Sequence, residues 1–92
     1  MIKSFADKHT EAPWNGEIPK QFFALAKVAF RKLDMLNAAL VITDLLIPPG
    51  NRLEILKGDR LGQHSIRVND QWRVCFVWTE GGVENVEIVD YH

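Results

Sequence analysis

Apolar residues recur along this chain in two rhythms. Between Phe22 and Leu40 the interval is three or four, so that Phe22, Leu25, Ala29, Leu33, Leu36 and Leu40 fall on one stripe of a helix. Lys20, Lys27, Arg31, Lys32 and Asp34 lie mostly off that stripe. The pattern predicts an amphipathic helix from about Pro19 to about Asn37 with a basic, solvated face, and Pro19 suits its first turn because the missing N–H has no partner there anyway. From Ser65 onward the interval becomes two. Ser65-Ile66-Arg67-Val68 and Trp72 to Trp78 alternate, and Val86 and Ile88 resume the alternation after the Gly81-Gly82 turn, as strands with one buried face do.

The alternation also predicts a register. With a three-residue turn, Asn69-Asp70-Gln71, Val68 faces Trp72 and Ile66 faces Val74 on one side of the sheet. Arg67 then faces Arg73, and Ser65 faces Cys75, on the other side. A two-residue turn would set Ile66 against Arg73 and break the apolar face, so three is selected. Two guanidiniums directly across from one another repel. Such a pair makes sense where an anion, a carboxylate or a phosphate, sits between them; the bland alternative is that both reach into water or bind Asp90 or Glu87.

The remaining segments are read from punctuation. Met1 to Phe5 is a candidate short strand, and Ala6 to Ile18, with Pro13, Asn15 and Gly16, reads as a loop. Thr43 is a candidate cap for a short helix over Asp44 to Ile47, ended by Pro48-Pro49-Gly50. A strand from Arg52 to Lys57 and a loop from Gly58 to Gly62 lead into the alternating region. By parity Asp90 and His92 follow Val86 and Ile88, while Tyr91 points the other way. Helices first and consecutive strands afterwards imply an α+β fold: an N-terminal strand and one or two helices on a mainly antiparallel sheet of four to five strands, one face covered and the other carrying Arg67, Arg73 and Tyr91.

Composition narrows the chemistry. At 92 residues, 47% apolar and 25% charged, the chain is expected to be one globular domain, 1–92. The lone cysteine, Cys75, excludes an internal disulfide. No apolar run is long enough to span a bilayer, and MIKSFADKHT has no apolar signal core, so a cytoplasmic location without membrane association is expected. Net charge is −1, yet Arg52, Lys57, Arg60, Arg67 and Arg73 outnumber Glu54, Asp59 and Asp70 locally. His9, His64 and His92 are dispersed and form no zinc spacing, so no metal or other cofactor is expected. The remaining cluster, Lys57, Arg67, Arg73, Asp90, Tyr91 and His92, suits phosphodiester cleavage in RNA. A 2′-hydroxyl needs a proton acceptor, a 5′-oxygen a donor, and the charge growing on phosphorus fixed cations. His92 titrates in the right range, Asp90 could orient it or act as base, and Tyr91 could stack on an unpaired base.

Four stretches carry a resemblance. Pro48-Pro49-Gly50-Asn51-Arg52-Leu53-Glu54, Leu56-Lys57-Gly58-Asp59-Arg60, Gly62 to Arg73 and Val86 to His92 resemble the HigB toxins of the RelE/ParE superfamily. The opening Met1 to Phe5 and Arg31-Lys32-Leu33-Asp34-Met35-Leu36 are similar to that family as well. The resemblance implies a RelE-like fold and a type II toxin that cuts mRNA in the ribosomal A site. It implies Lys57, Asp90, Tyr91 and His92 as catalytic residues and Arg67 and Arg73 as phosphate-holding ones. Glu54 stands where some relatives have a histidine, which makes it an accessory candidate together with Arg60. The implied partners are a HigA-type helix-turn-helix antitoxin, the ribosome and its mRNA, with DNA met only through the antitoxin complex. A ParE-like gyrase poison on the same fold, or an inactive corepressor, would not need Asp90-Tyr91-His92.

Overall fold

The computed structural model describes residues 1–90. Its C-terminal half is a four-stranded antiparallel sheet in which β1 (Glu54–Ile55), β2 (His64–Arg67), β3 (Trp72–Thr79) and β4 (Gly82–Asp90) lie in chain order. Strands β2 and β3 pair as the alternation requires: Ser65 opposite Cys75, Ile66 opposite Val74, Arg67 opposite Arg73. The three-residue turn is closed by Val68 and Asn69 N–H groups on the Trp72 carbonyl, and Asn69 Oδ1 accepts from the Gln71 and Trp72 amides. Between β3 and β4 the loop is Glu80-Gly81, with Thr79 opposite Gly82. Further on the ladder shifts register between Cys75 and Val77, at the level where Asn85 takes a positive φ of 52°, the mark of a bulge.

Helices α1 (Lys8–Trp14) and α2 (Ala26–Ala38) cover one face of the sheet. The core beneath them joins Leu25, Ala29, Leu33 and Leu36 to Ile66, Val74, Phe76, Val86 and Ile88. The N-terminal segment is not a continuous strand. It meets β4 in parallel at Ile2–Val83 and Phe5–Val86, through amide bonds such as Lys3 N–H to the Val83 carbonyl at 2.7 Å. No helix is long and apolar enough to cross a membrane among the described residues.

Several expected elements differ. Ala6 to Ile18 is not all loop: Asp7 caps α1 by accepting the Thr10 amide at 2.7 Å. The stripe starting at Phe22 holds, but the helix itself begins at Ala26, after a separate 3₁₀ turn over Lys20–Phe22. That turn seats Phe22 edge-on against Trp72, ring centroids 5.5 Å apart. Leu40 is 88% exposed because the chain leaves the helix at Ala39. Lys32, expected in solvent, is buried. Residues Ile42–Leu46 form a 3₁₀ turn capped at Val41 instead of Thr43, and Asp44 Oδ2 accepts the amides of Leu40 and Val41 that lead into it. The strand expected from Arg52 to Lys57 pairs only at Glu54 and Ile55.

Candidate functional site

The second face of the sheet is not bare. Ser65 and Cys75 are fully buried on it and Arg73 is 6% exposed, although no helix lies there. Residues flanking β1 account for part of this: Arg73 donates to the Arg52 carbonyl, Leu56 is buried, and Arg60 spans to Glu87. Arg60 Nη1 donates to Glu87 Oε1 and to Gln63 Oε1, each at 3.1 Å, beyond Cys75 in the cross-strand row Glu54–Ser65–Cys75–Glu87. At the other end Arg73 reaches back to Arg52.

The paired arginines are therefore unlike each other. Arg73 is an interior guanidinium: Nε donates to Ser65 Oγ at 2.7 Å, Nη2 to the Arg52 carbonyl at 2.5 Å and to the Ser65 carbonyl at 3.3 Å. Glu54 Oε1 stands 3.8 Å from Nη1, too long for a hydrogen bond but within ion-pair range. Arg67 is partly exposed and is paired with Asp70, a wholly solvent-exposed carboxylate. A surface pair of this kind gives way readily to a better anion.

Around these two opens a polar cleft of about 280 Å³ lined by Arg52, Glu54, Arg67, Asn69, Asp70 and Arg73. The residue pattern counts Arg52 in a local surplus of cations but does not mark it as a site residue. Its place depends on a left-handed backbone, φ 46°, at the end of the Pro49–Asn51 turn, and nothing in the hydropathy pattern marks it. Three guanidiniums face two carboxylates there. The surplus of positive charge and the planar donor forks suit a phosphate or another small oxyanion.

The other expected residues are dispersed about this cleft. Lys57 lies on the exposed loop before the Gly58–Arg60 turn. Asp90 sits opposite Trp72, which by alternation is the helix-covered side of the sheet, and its Oδ2 accepts from Gln71 Nε2 at 3.0 Å. Arg60 is committed to Glu87 across Cys75 and does not line the cleft. Tyr91 and His92 lie outside the described residues. Burial pushes the Cys75 thiol above its ordinary value, with Arg60 and Arg73 opposing and Glu87 adding to the rise, so it is a protonated interior group and a poor nucleophile. No group of three potential metal-ligating side chains converges among the described residues.

A family model described as the RelE-like toxin of the type II toxin–antitoxin system HigB matches residues 3–92. Toxin HigB-1 of Vibrio cholerae is 50% identical over 83 residues, covering 88% of this chain and 87% of that protein. An uncharacterized protein of Haemophilus influenzae is 38% identical over 82 residues, covering 89% of this chain and 72% of its own length. Among solved structures, two YoeB–YefM toxin–antitoxin complexes from Staphylococcus aureus superpose over 100% of this chain and 98% of theirs. Their TM-scores are 0.59 and 0.60 at 18% identity, a likeness of fold.

Proposed function

The chain belongs to the HigB-like family of RelE-like toxins of type II toxin–antitoxin systems, and on that premise we propose that it is a ribosome-dependent endoribonuclease that arrests translation by cutting mRNA. The observation that carries this reading is the cleft in which Arg52, Arg67 and Arg73 converge. In the reaction a base takes the proton of a 2′-hydroxyl, and its oxygen forms a bond to the adjacent phosphorus. The bond to the 5′-oxygen breaks as an acid protonates the leaving group. The products are a 2′,3′-cyclic phosphate and a 5′-hydroxyl, with no water or metal consumed.

In this reading Arg67 is the mobile cation. It exchanges Asp70 for the scissile phosphate and stabilises the charge that grows in the transition state. Arg73, held by Ser65 and the Arg52 carbonyl, shapes the cleft wall and offers its remaining charge. Lys57 on its exposed loop adds a further cation. The family resemblance assigns proton transfer and base stacking to Asp90, Tyr91 and His92; Asp90 ends β4 on the side of the sheet that carries Trp72 and does not line the arginine cleft. Glu54 is the accessory carboxylate. The net charge of −1 suits an enzyme to which the ribosome presents its substrate, since free RNA binding rests on net positive contacts. A helix-turn-helix antitoxin of the HigA type would neutralise it and supply any DNA contact.

Mapping mRNA 5′ ends after induction in cells tests this. New ends inside translated codons are expected. Double-strand DNA breaks without new RNA ends would assign the fold to gyrase poisoning, and growth without either would leave a corepressor.

A further inference from the structure

Lys32 on α2 is only 9% exposed, and its ammonium donates to Asn51 Oδ1 at 2.5 Å. Asn51 is itself fully buried and directs its amide N–H groups to the carbonyls of Leu45 at 3.1 Å and Ile47 at 3.5 Å. No carboxylate stands within ion-pair range of the Lys32 ammonium among the described residues. Burial, and then the charges of Arg31 and Arg67, hold it below the ordinary lysine value. A buried cation with a single neutral partner is expensive to keep, so its place in the fold calls for a reason.

The chain of contacts leads to one. Asn51 is followed by Arg52, left-handed at φ 46°, whose carbonyl accepts from Arg73 Nη2. A continuous line therefore runs from helix α2 through Lys32, Asn51 and the Arg52 backbone to the guanidinium in the cleft wall. It also joins two stretches far apart in sequence. We propose that Lys32 is a positioning residue for the arginine cleft, fixing through Asn51 the backbone oxygen against which Arg73 is set. The proposal rests on the reading of that cleft as a phosphate site.

The test is a titration of ¹⁵N-labelled protein with inorganic phosphate, following the Arg67 and Arg73 guanidinium signals and the Lys32 ammonium signal. In the unmodified protein the Arg73 and Lys32 signals are expected to shift together. Lys32→Met is expected to broaden the Arg73 signals and raise the phosphate concentration at half-saturation roughly fivefold; Lys32→Arg, which keeps a buried cationic donor, is expected to restore both. Lys32→Met with Arg73 signals and phosphate response unchanged overturns the proposal, as does equal loss in both variants, which would mark a packing role alone. Should Lys32→Met not fold, the unmodified protein decides: a shift of Arg73 with Lys32 unmoved overturns it. Absence of any arginine response in the unmodified protein removes the cleft reading and this proposal together, whereas a response independent of Lys32 removes this proposal alone.

Discussion

Replacing Arg73 with methionine separates the two arginines that face each other across β2 and β3. Methionine keeps much of the apolar stem and removes the guanidinium. The donors lost are Nε to Ser65 Oγ at 2.7 Å and Nη2 to the carbonyls of Arg52 and Ser65. A hydrogen bond with a charged partner contributes about 1.5–3 kcal/mol. Since the two shorter bonds share one side chain their losses do not simply add, and breaking a buried charged network costs about 3–5 kcal/mol. In a domain of this size each kcal/mol moves Tm by about 4–8 °C, so a fall of roughly 12–40 °C is expected, from a total stability of about 5–15 kcal/mol. The assay is urea and thermal unfolding followed by circular dichroism, with Ser65→Ala and the double variant completing a cycle. A coupling of about 0.5–3 kcal/mol between the two is expected. Arg67→Ala, which loses only its pair with the exposed Asp70, is expected to melt close to the unmodified protein. If Arg73→Met unfolds within about 1 kcal/mol of the unmodified protein, the interior fork does not hold the cleft wall and the reasoning fails.

Other consequences follow from single contacts. Thr10 Oγ1 accepts the Ile88 amide at 2.9 Å in a buried setting; Thr10→Val preserves the shape, strands that donor and is expected to lower stability by about 1–3 kcal/mol in urea unfolding, and no change would show that water replaces it. At Gly82, φ 146°, a Cβ would stand 2.6 Å from the Met1 carbonyl oxygen, so Gly82→Ala is expected to lower Tm by several degrees and to speed amide exchange at Lys3 and Val83. Unaltered exchange would refute that close approach. The Cys75 thiol, raised by burial, keeps its proton in the folded state after the unfolded chain begins to lose it. Its contribution is fully present below the unfolded value of about 8.5 and is lost as pH rises through the higher folded one. Lys32, shifted down, works in the opposite sense by favouring the fold as pH rises towards the ordinary lysine value. The urea midpoint is therefore expected to fall less steeply above about pH 8.5 in Cys75→Ala than in the unmodified protein; equal slopes would contradict the assignment.

What could be read beforehand was governed by periodicity. Strict alternation around Ser65 to Val74 leaves only one turn length that keeps Ile66, Val68, Trp72 and Val74 on one face, and the Arg67–Arg73 pairing follows from it. Alternation names a face and does not say how deeply a residue sits on it. Arg73 and Arg67 share a face yet differ in burial: Arg73 is held by Ser65 and the Arg52 carbonyl, whereas Arg67 pairs with the exposed Asp70. Helix α1 escaped notice since its buried positions, Thr10 and Pro13, carry no apolar period and Pro13, Asn15 and Gly16 imitate a loop. Lys32 sits at helical spacing from Ala29 and Leu36, on the buried side, but a lysine there reads as solvated until Asn51 is seen to meet it. Arg52 depended on a left-handed backbone after a 3₁₀ turn, a property of the loop as a whole. Residue type nominates Asp90, Tyr91 and His92, and the resemblance to HigB toxins implies the catalytic roles that periodicity does not.

The central claim is that the arginine cleft holds the phosphate at which mRNA is cut. Single-turnover cleavage of a defined mRNA on programmed ribosomes, comparing the unmodified protein with Arg67→Ala at matched thermal stability, tests it most directly. Loss of one charge-stabilising donor is expected to slow the cleavage step by about 10²–10³-fold, with the site of cleavage unchanged. Cleavage by Arg67→Ala at the unmodified rate would contradict the account.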